Sequence, residues 1–355
     1  MNVPIYLNPG VTELFPESLT ILPTYRCNAA CEQCCFESNP RVKGRLSLDT
    51  IKQRITDAHQ SFSNLRLVVF SGGEAFLLKD DLFAAIRHAS NLGLKTRCVT
   101  NAFWGKTVRQ AQATVAKLQA AGISEVNIST GADHQRWVPF SSVEQAVDAL
   151  VSADIFTLVT VEKDASSTRC YDMAAQSPVL RRWMREKPLK LSLQCNSWMP
   201  FHDEYEERGV PGGLAALTEG CSQVFNNLVV TPHDQLAACC GLTFEHIPEM
   251  KLGSLEAASM GALFDDALRD FLKIWIHVEG PGTILRRLFG EEIDEELSHI
   301  RHICEACSVM HLHPRVRAEL RARYHEFVPE VLARFNLKVA LRRRERQALS
   351  PAPAH

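Results

Sequence analysis

Three cysteines near the start of the chain, Cys27, Cys31 and Cys34, stand in a C-x3-C-x2-C pattern inside T-Y-R-C-N-A-A-C-E-Q-C-C-F. Thiolates are the soft ligands that iron–sulfur clusters prefer. Three of them on one tight loop hold three corners of a cubane and leave the fourth iron without a protein ligand. An open coordination position at a metal marks chemistry rather than scaffolding. A structural zinc site would pair C-x2-C with another C-x2-C or with nearby histidines, and C-x3-C at the end of a strand fits that poorly. Cys35, beside the triplet, cannot easily reach the same cubane and reads as a packing residue.

A second set lies late in the chain: Cys221, Cys239 with its neighbour Cys240, and the pair Cys304 and Cys307. Twelve residues separate Cys221 from Asp234, and four separate Asp234 from Cys239. Taken alone, these thiols read as a four-thiolate zinc site. Spacing favours Cys239 over Cys240 as the ligand. His311 and His313 follow Cys307 and are weaker alternatives.

The elements that must position these residues follow a regular alternation. Ser18–Tyr25, Leu65–Phe70, Leu94–Thr100, Glu125–Thr130, Ile155–Val161 and Leu189–Gln194 read as strands. Asp49–Gln60, Asp80–Asn91, Thr107–Ala121, Val143–Ser152 and Pro178–Glu186 have helical period and length, with Gly93 and Gly122 just past helix ends. Strand–helix alternation argues for repeated right-handed βαβ units and a parallel sheet. After Pro200 the pattern changes, and Val210–Gly213 looks like a boundary. Short strand-like pieces (Leu228–Thr231, Leu236–Ala238) follow, then a long amphipathic helix or helix pair over 315–347 with a break expected at Pro329. The basic run Arg342, Arg343, Arg344 and Arg346 reads as a solvated helix end, and SPAPAH as a disordered tail.

The 355 residues suffice for one large domain plus a smaller one, and the hydrophobic fraction, 46%, is that of a globular protein. Lys plus Arg (39) nearly balances Asp plus Glu (41), which gives no reason to expect nucleic acid or an anionic membrane as partner. No apolar run is long enough to span a bilayer, and MNVPIYLNPG lacks the pattern of a secretory signal. A cytoplasmic location is expected, where twelve cysteines serve as metal ligands and free thiols rather than as a disulfide framework.

The triplet resembles the signature of the radical S-adenosylmethionine (SAM) superfamily. Ser71-Gly72-Gly73-Glu74 follows the second strand, about 40 residues after the cysteines, and resembles that family's GGE motif. Thr100-Asn101 ends the third strand and Ser129 the fourth, where the family often has polar contacts to SAM. Ligand sites in such folds gather at the carboxyl ends of parallel strands. The resemblance covers roughly residues 18–200 and implies a partial (β/α)6 TIM-like barrel. Gly72, Gly73, Glu74, Asn101 and Ser129 are then expected to bind the cofactor, with Glu74 accepting from the SAM ammonium. The family usually has an aromatic residue just before the third cysteine. Gln33 stands there, and Phe36 is expected to take over the packing against adenine. Thr160, Gln194 and Asn196 are further candidates.

The second cysteine set, with Lys251-Leu252-Gly253-Ser254 between its members, resembles the SPASM and shorter twitch extensions of the same family, with Asp234 in place of the usual hairpin glycine. No cysteine follows Cys307, which fits the twitch form with one auxiliary 4Fe-4S cluster on Cys221, Cys239, Cys304 and Cys307. The expected organisation is an N-terminal segment (1–17), the barrel (18–209), a SPASM/twitch-like α+β domain (210–315) and a C-terminal helix with basic tail (316–355). The implied activity is reductive cleavage of SAM to a 5′-deoxyadenosyl radical that takes a hydrogen atom from substrate. A peptide substrate is favoured, with cross-linking, epimerisation or oxidation as outcome. An electron donor such as flavodoxin or ferredoxin is implied, and a separate leader-peptide-binding protein is compatible with the short N-terminal segment. A small-molecule dehydrogenase is the alternative enzyme, and a zinc-stabilised binding protein the alternative of another class. Cys195, at the end of the sixth strand, is expected to face the cavity as a catalytic hydrogen-atom donor. Asp133 and His134, and Trp104, Trp137 and Trp198, are candidate wall residues.

Overall fold

The computed structural model describes residues 11–164, 169–198 and 217–349. The expected boundary at Val210–Gly213, the first ten residues and the SPAPAH tail lie outside the described residues.

Six parallel strands, β1 (Ser18–Ile21), β2 (Leu67–Phe70), β3 (Lys95–Thr100), β4 (Glu125–Thr130), β5 (Phe156–Glu162) and β6 (Leu191–Asn196), pair in sequence order. Helices α1 (Leu48–Ser61), α2 (Asp80–Asn91), α3 (Val108–Ala121), the short α4 (Ala132–Gln135), α5 (Phe140–Ser152), α6 (Arg169–Gln176) and α7 (Pro178–Glu186) connect them. Helix starts follow local chemistry: Ser47, Thr107 and Ser177 cap α1, α3 and α7 through their hydroxyls, and Gly122 ends α3 in the left-handed conformation. On β3 and β4 the alternation is regular. Thr96, Cys98, Thr100, Val126, Ile128 and Thr130 are buried, whereas Arg97, Val99, Asn127 and Ser129 are half-buried on the opposite face. That second face is the barrel interior, left incompletely filled. The mixed character of these strands therefore records a lumen rather than an exposed sheet.

The sheet does not stop at the barrel. β7 (Asn227–Val230) pairs parallel to β1, from Ser18 opposite Asn227 to Ile21 opposite Val230, and β8 (Gln235–Ala237) and β9 (Lys251–Ser254) continue it antiparallel. Asp234 closes the β7–β8 turn at φ 55°, a conformation Asp tolerates. Its carboxylate also accepts from Arg54 of α1, Nε at 2.9 Å and Nη2 at 2.6 Å. This buried pair ties the hairpin to the barrel's first helix, and breaking one partner of such a pair is costly.

Beyond the hairpin come α8 (Met260–Ala267), α9 (Phe271–Phe289), α10 (Ile293–Glu296), α11 (Ile303–Leu312) and α12 (Pro314–Leu349). α9 is kinked at Gly280, whose φ of 77° and ψ of 160° precede Pro281. α12 runs through Pro329 without the expected break and buries Val331, Phe335 and Val339. The basic end of α12 is docked rather than merely solvated. The Arg342 guanidinium lies 4.5 Å from the Phe15 ring centroid, donates to Asn226 at 3.0 Å and pairs with Glu17. No helix of the described residues is long and apolar enough to cross a membrane.

Candidate active site

Cys27, Cys31 and Cys34 line one cavity at the carboxyl ends of the barrel strands, together with Gly72, Gly73, Asn101 and Ser129. The loop is held by its own backbone: Cys27 N donates to Asn39 O at 3.3 Å, Cys34 N to Cys31 O at 3.3 Å, and Glu37 N to Cys34 O at 3.0 Å. Ala29 N points at the Cys27 sulfur at 3.4 Å. Asn101 Nδ2 stands 3.7 Å from the same sulfur and donates to Asn28 at 3.0 Å.

The Gly72–Glu74 segment straps this loop from behind. Gly73 N donates to Thr24 O and Glu74 N to Arg26 O, both at 2.9 Å. A Cβ on Gly73 would lie 2.2 Å from Arg26 O, and one on Gly72 2.5 Å from Thr24 O. The glycines therefore admit the chain just before Cys27, in addition to lining the cavity. Glu74 does not line the cavity: it is fully buried. Its carboxylate accepts from Phe76 N (3.1 Å), Asn101 N (2.9 Å) and the Thr100 hydroxyl (3.0 Å to each oxygen). Through these bonds Glu74 joins the strap to the Thr100-Asn101 corner. Burial pushes the Glu74 carboxyl up to about 7, and those hydrogen bonds oppose the rise.

A second brace comes from across the barrel. Asp133, fully buried at the start of α4, accepts from Gln33 N at 3.0 Å in the turn between Cys31 and Cys34. Glu162, at the end of β5, accepts from Asp133 N and lies 3.1 Å from His134 Nδ1. A Cβ on Gly131 would meet Glu162 Cγ at 2.1 Å, so this corner requires glycine. Glu162 and His134 line the cavity with Trp198. Sequence reasoning misses Glu162. Its one signal is an acidic residue ending an apolar strand in the same way that Glu74 follows β2.

The other expected residues separate clearly. Phe36 lines the cavity, but its ring is stacked on Tyr25 at 5.4 Å and meets Phe244 edge-on at 6.0 Å. Thr160 accepts from Gln194 at 3.0 Å. Asn196 lines the second cavity described below. Trp104 packs on Phe76 and donates to Thr100, and Trp137 is exposed. Cys195 is a correction. It pairs with Val161 across β5–β6, whereas Glu162, which lines the cavity, pairs with Asn196. Neighbours in register share a face, so Cys195 points to the helix side, with Lys163, Asp164 and, on α6, Asp172 near it.

Cys221, Cys239, Cys304 and Cys307 line a second cavity, of about 780 Å³, and Cys240 and Gly241 also form its wall. Cys304 lies in the first turn of α11 and Cys307 one turn further on, on the same face. A helix amino terminus favours thiolate. His302 accepts from Cys304 N at 3.1 Å, Leu242 N points at the Cys304 sulfur at 3.4 Å, and the Thr243 hydroxyl donates to Cys304 O at 3.1 Å. A Cβ on Gly241 would stand 3.1 Å from the Cys304 sulfur and 3.6 Å from that of Cys239, so glycine keeps the space between them clear. Cys307 feels the charges of Cys239, Cys304 and Cys221, while Cys240 is hydrogen-bonded toward Thr20 of β1. Both Cys239 and Cys240 line this cavity. Among the described residues no group of three or more His, Cys, Asp and Glu side chains is arranged around a single metal ion.

Five of these thiols are held where ionisation is unfavourable. Burial pushes Cys27 and Cys304 up to about 12 and raises Cys31, Cys239 and Cys307 as well. Such thiols become thiolates when a cation supplies the compensating charge. Two donor sets made of soft sulfur, each around its own cavity, fit iron–sulfur clusters. Asn101, Ser129, Gly72 and Gly73 line the same cavity as the first set.

Residues 21–160 match the family model described as the Radical SAM superfamily. The curated protein described as "Putative peptide biosynthesis protein YydG", from Bacillus subtilis (strain 168), is 23% identical over 167 residues, covering 46% of this chain and 52% of that protein. The match thus spans about half the length of that relative. The solved structure "Native anSMEcpe with bound AdoMet" has the same fold with a TM-score of 0.51 at 14% identity, over 90% of this chain and 100% of that one. A histidine-tagged form of anSMEcpe with bound AdoMet gives 0.51 at 15% identity, over 85% and 98%.

Proposed function

We propose, from the premise that residues 21–160 of this chain are a radical SAM domain, that the protein is a peptide-modifying enzyme of that superfamily. The observation that carries this reading is the convergence of Cys27, Cys31 and Cys34 on one cavity with the ends of β2, β3 and β4. When bound there, a 4Fe-4S cluster supplies the electron that cleaves SAM and so the adenosyl radical that takes a hydrogen atom from substrate. The chain's own residues do the positioning. The three cysteines would hold three irons, and Asn101, Ser129 and the Gly72-Gly73 backbone would hold SAM. Glu74, Asp133 and Glu162 fix the loop from behind and from across the barrel. A peptide substrate is supported by the name of the relative, which speaks of peptide biosynthesis.

Cys221, Cys239, Cys304 and Cys307 would hold an auxiliary 4Fe-4S cluster in a twitch-like extension. With four thiolate ligands it would have no vacant iron, and its role would be electron exchange with the substrate or shaping of the chamber. The test uses anaerobically purified protein, expected to carry about eight irons per chain for two cubanes. With SAM and a strong reductant it should form 5′-deoxyadenosine, and replacing Cys27, Cys31 and Cys34 with serine should abolish this. Replacing Cys304 and Cys307 with serine should halve the iron and retain SAM cleavage. Continued 5′-deoxyadenosine formation in the triple variant would overturn the reading, as would a colourless zinc protein.

A further inference from the structure

The chamber between the two cysteine sets carries polar atoms that the protein leaves unmatched. The 780 Å³ cavity runs from Cys239 and Cys304 into the barrel, where Arg97 of β3 and Asn127 of β4 form part of its wall. Val99 lines this cavity and also the one holding Cys27, Cys31 and Cys34, so the two adjoin. In register, Arg97 faces Glu125 and Val99 faces Asn127, which sets both polar side chains on the lumen face of neighbouring strands. Glu125 takes one arm of the guanidinium, from Nη2 at 2.9 Å, and so fixes its direction. Arg97 Nε and Asn127 Oδ1 have no hydrogen-bond partner and are closed off from solvent. A buried donor or acceptor left unmatched is destabilising, and native proteins keep few of them without a functional reason.

The two atoms are one donor and one acceptor on the lumen face of neighbouring strands. A carboxylate would satisfy the donor and leave the acceptor unmatched. An extended peptide residue satisfies both, because its N–H and C=O point to the same side, as they do in a hydrogen-bonded pair of antiparallel strands. The wall also includes Val224, Met250 and Ile276, which suit the apolar part of such a residue. We propose that Arg97 and Asn127 recognise the substrate backbone, the guanidinium donating to the carbonyl and Asn127 Oδ1 accepting the N–H of one extended residue. Glu125 acts as a positioning residue behind Arg97. This assignment rests on the peptide reading above.

The test titrates anaerobic holoprotein with N-acetyl-L-alanine N′-methylamide and with its ester analogue, in which the alanine N–H is replaced by oxygen. Binding is followed by saturation-transfer NMR. The amide should bind about tenfold more tightly, the value of one buried hydrogen bond. Asn127→Leu should erase that difference while keeping the ester affinity, and Arg97→Gln should weaken both probes. The amide–ester comparison needs no variant, so it stands even if a substitution disturbs folding. SAM cleavage without peptide, measured on the same samples, reports separately on the enzyme reading. Equal affinity for amide and ester, no saturable binding of the amide, or tighter binding of glycerol as a polyol probe would overturn the assignment, whatever the SAM result.

Discussion

Replacing Gly73 with alanine tests the idea that the strap behind the cysteine loop sets the geometry of the first site. An ideal Cβ at Gly73 would lie 2.2 Å from Arg26 O and 2.6 Å from both Arg26 C and Tyr25 O. All three are backbone atoms, so none can swing aside as a side chain would. Ordinary carbon contacts begin near 3.5 Å, so Tyr25–Arg26 must retreat by about 1 Å. Overpacking of this kind costs about 1–3 kcal/mol. The retreat also strains the hydrogen bonds from Gly73 N to Thr24 O and from Glu74 N to Arg26 O. The next residue is Cys27, and an error of about 1 Å in a positioned reaction costs on the order of a hundredfold in rate. Gly73→Ala should therefore lower Tm, reduce iron at the first site and slow 5′-deoxyadenosine formation by about that factor. Gly44→Ala is the control: its φ of +91° makes alanine strained, but nothing lies within 4 Å of the added atom. It should lose about 1–2 kcal/mol of stability with iron content unchanged. Full iron loading and SAM cleavage within about twofold of wild type in Gly73→Ala would refute the reasoning, since a 1 Å error is expected to cost far more.

Two further outcomes follow from contacts described above. Asp133→Ala removes the acceptor from Gln33 N in the turn between Cys31 and Cys34. It should cost about 1–3 kcal/mol and deplete iron selectively at the first site, as EPR of the reduced protein would show; equal depletion of both sites would contradict it. Burial holds His311 down to about 4, with Glu249, Asp270, Lys273 and Arg317 acting on it from around the ring. The native state thus resists a proton that the unfolded chain accepts near pH 6.5, so this contribution to stability is lost as pH falls from 6.5 toward 4. The arithmetic gives about 2 kcal/mol between pH 7 and pH 5. Urea unfolding at those two pH values should show His311→Gln with a pH dependence smaller by about that amount; an unchanged difference would sink the assignment.

The barrel and the first cysteine set are legible because each rests on local signals. The C-x3-C-x2-C spacing, the glycines after β2 and the helix ends at Gly93 and Gly122 need no tertiary partner to be read. What fails depends on faces and distant contacts. In β6, Leu191, Leu193 and Cys195 form the helix-facing side and Ser192, Gln194 and Asn196 the lumen side. The alternation is visible in the sequence, but it becomes decisive only with the register against β5. Asp234 reads as a turn residue, and its partner Arg54 lies 180 positions away. Glu162 owes its role to Gly131 and His134, which the chain brings to it only after an intervening helix. Pro329 reads as a break in α12, yet the helix runs on with Val331, Phe335 and Val339 buried beyond it.

β1, the strand that leads to Cys27, is hydrogen-bonded on both sides, by β2 and by β7. Asn227–Val230 leaves the ribosome roughly two hundred residues after β1, an interval of about 10–40 s at ordinary elongation rates. Throughout it, the nascent barrel carries a bare edge, the kind of surface that invites mispairing. Pairing with β7 closes that edge, so the strand leading to Cys27 gains its second neighbour only after the six barrel strands have been made.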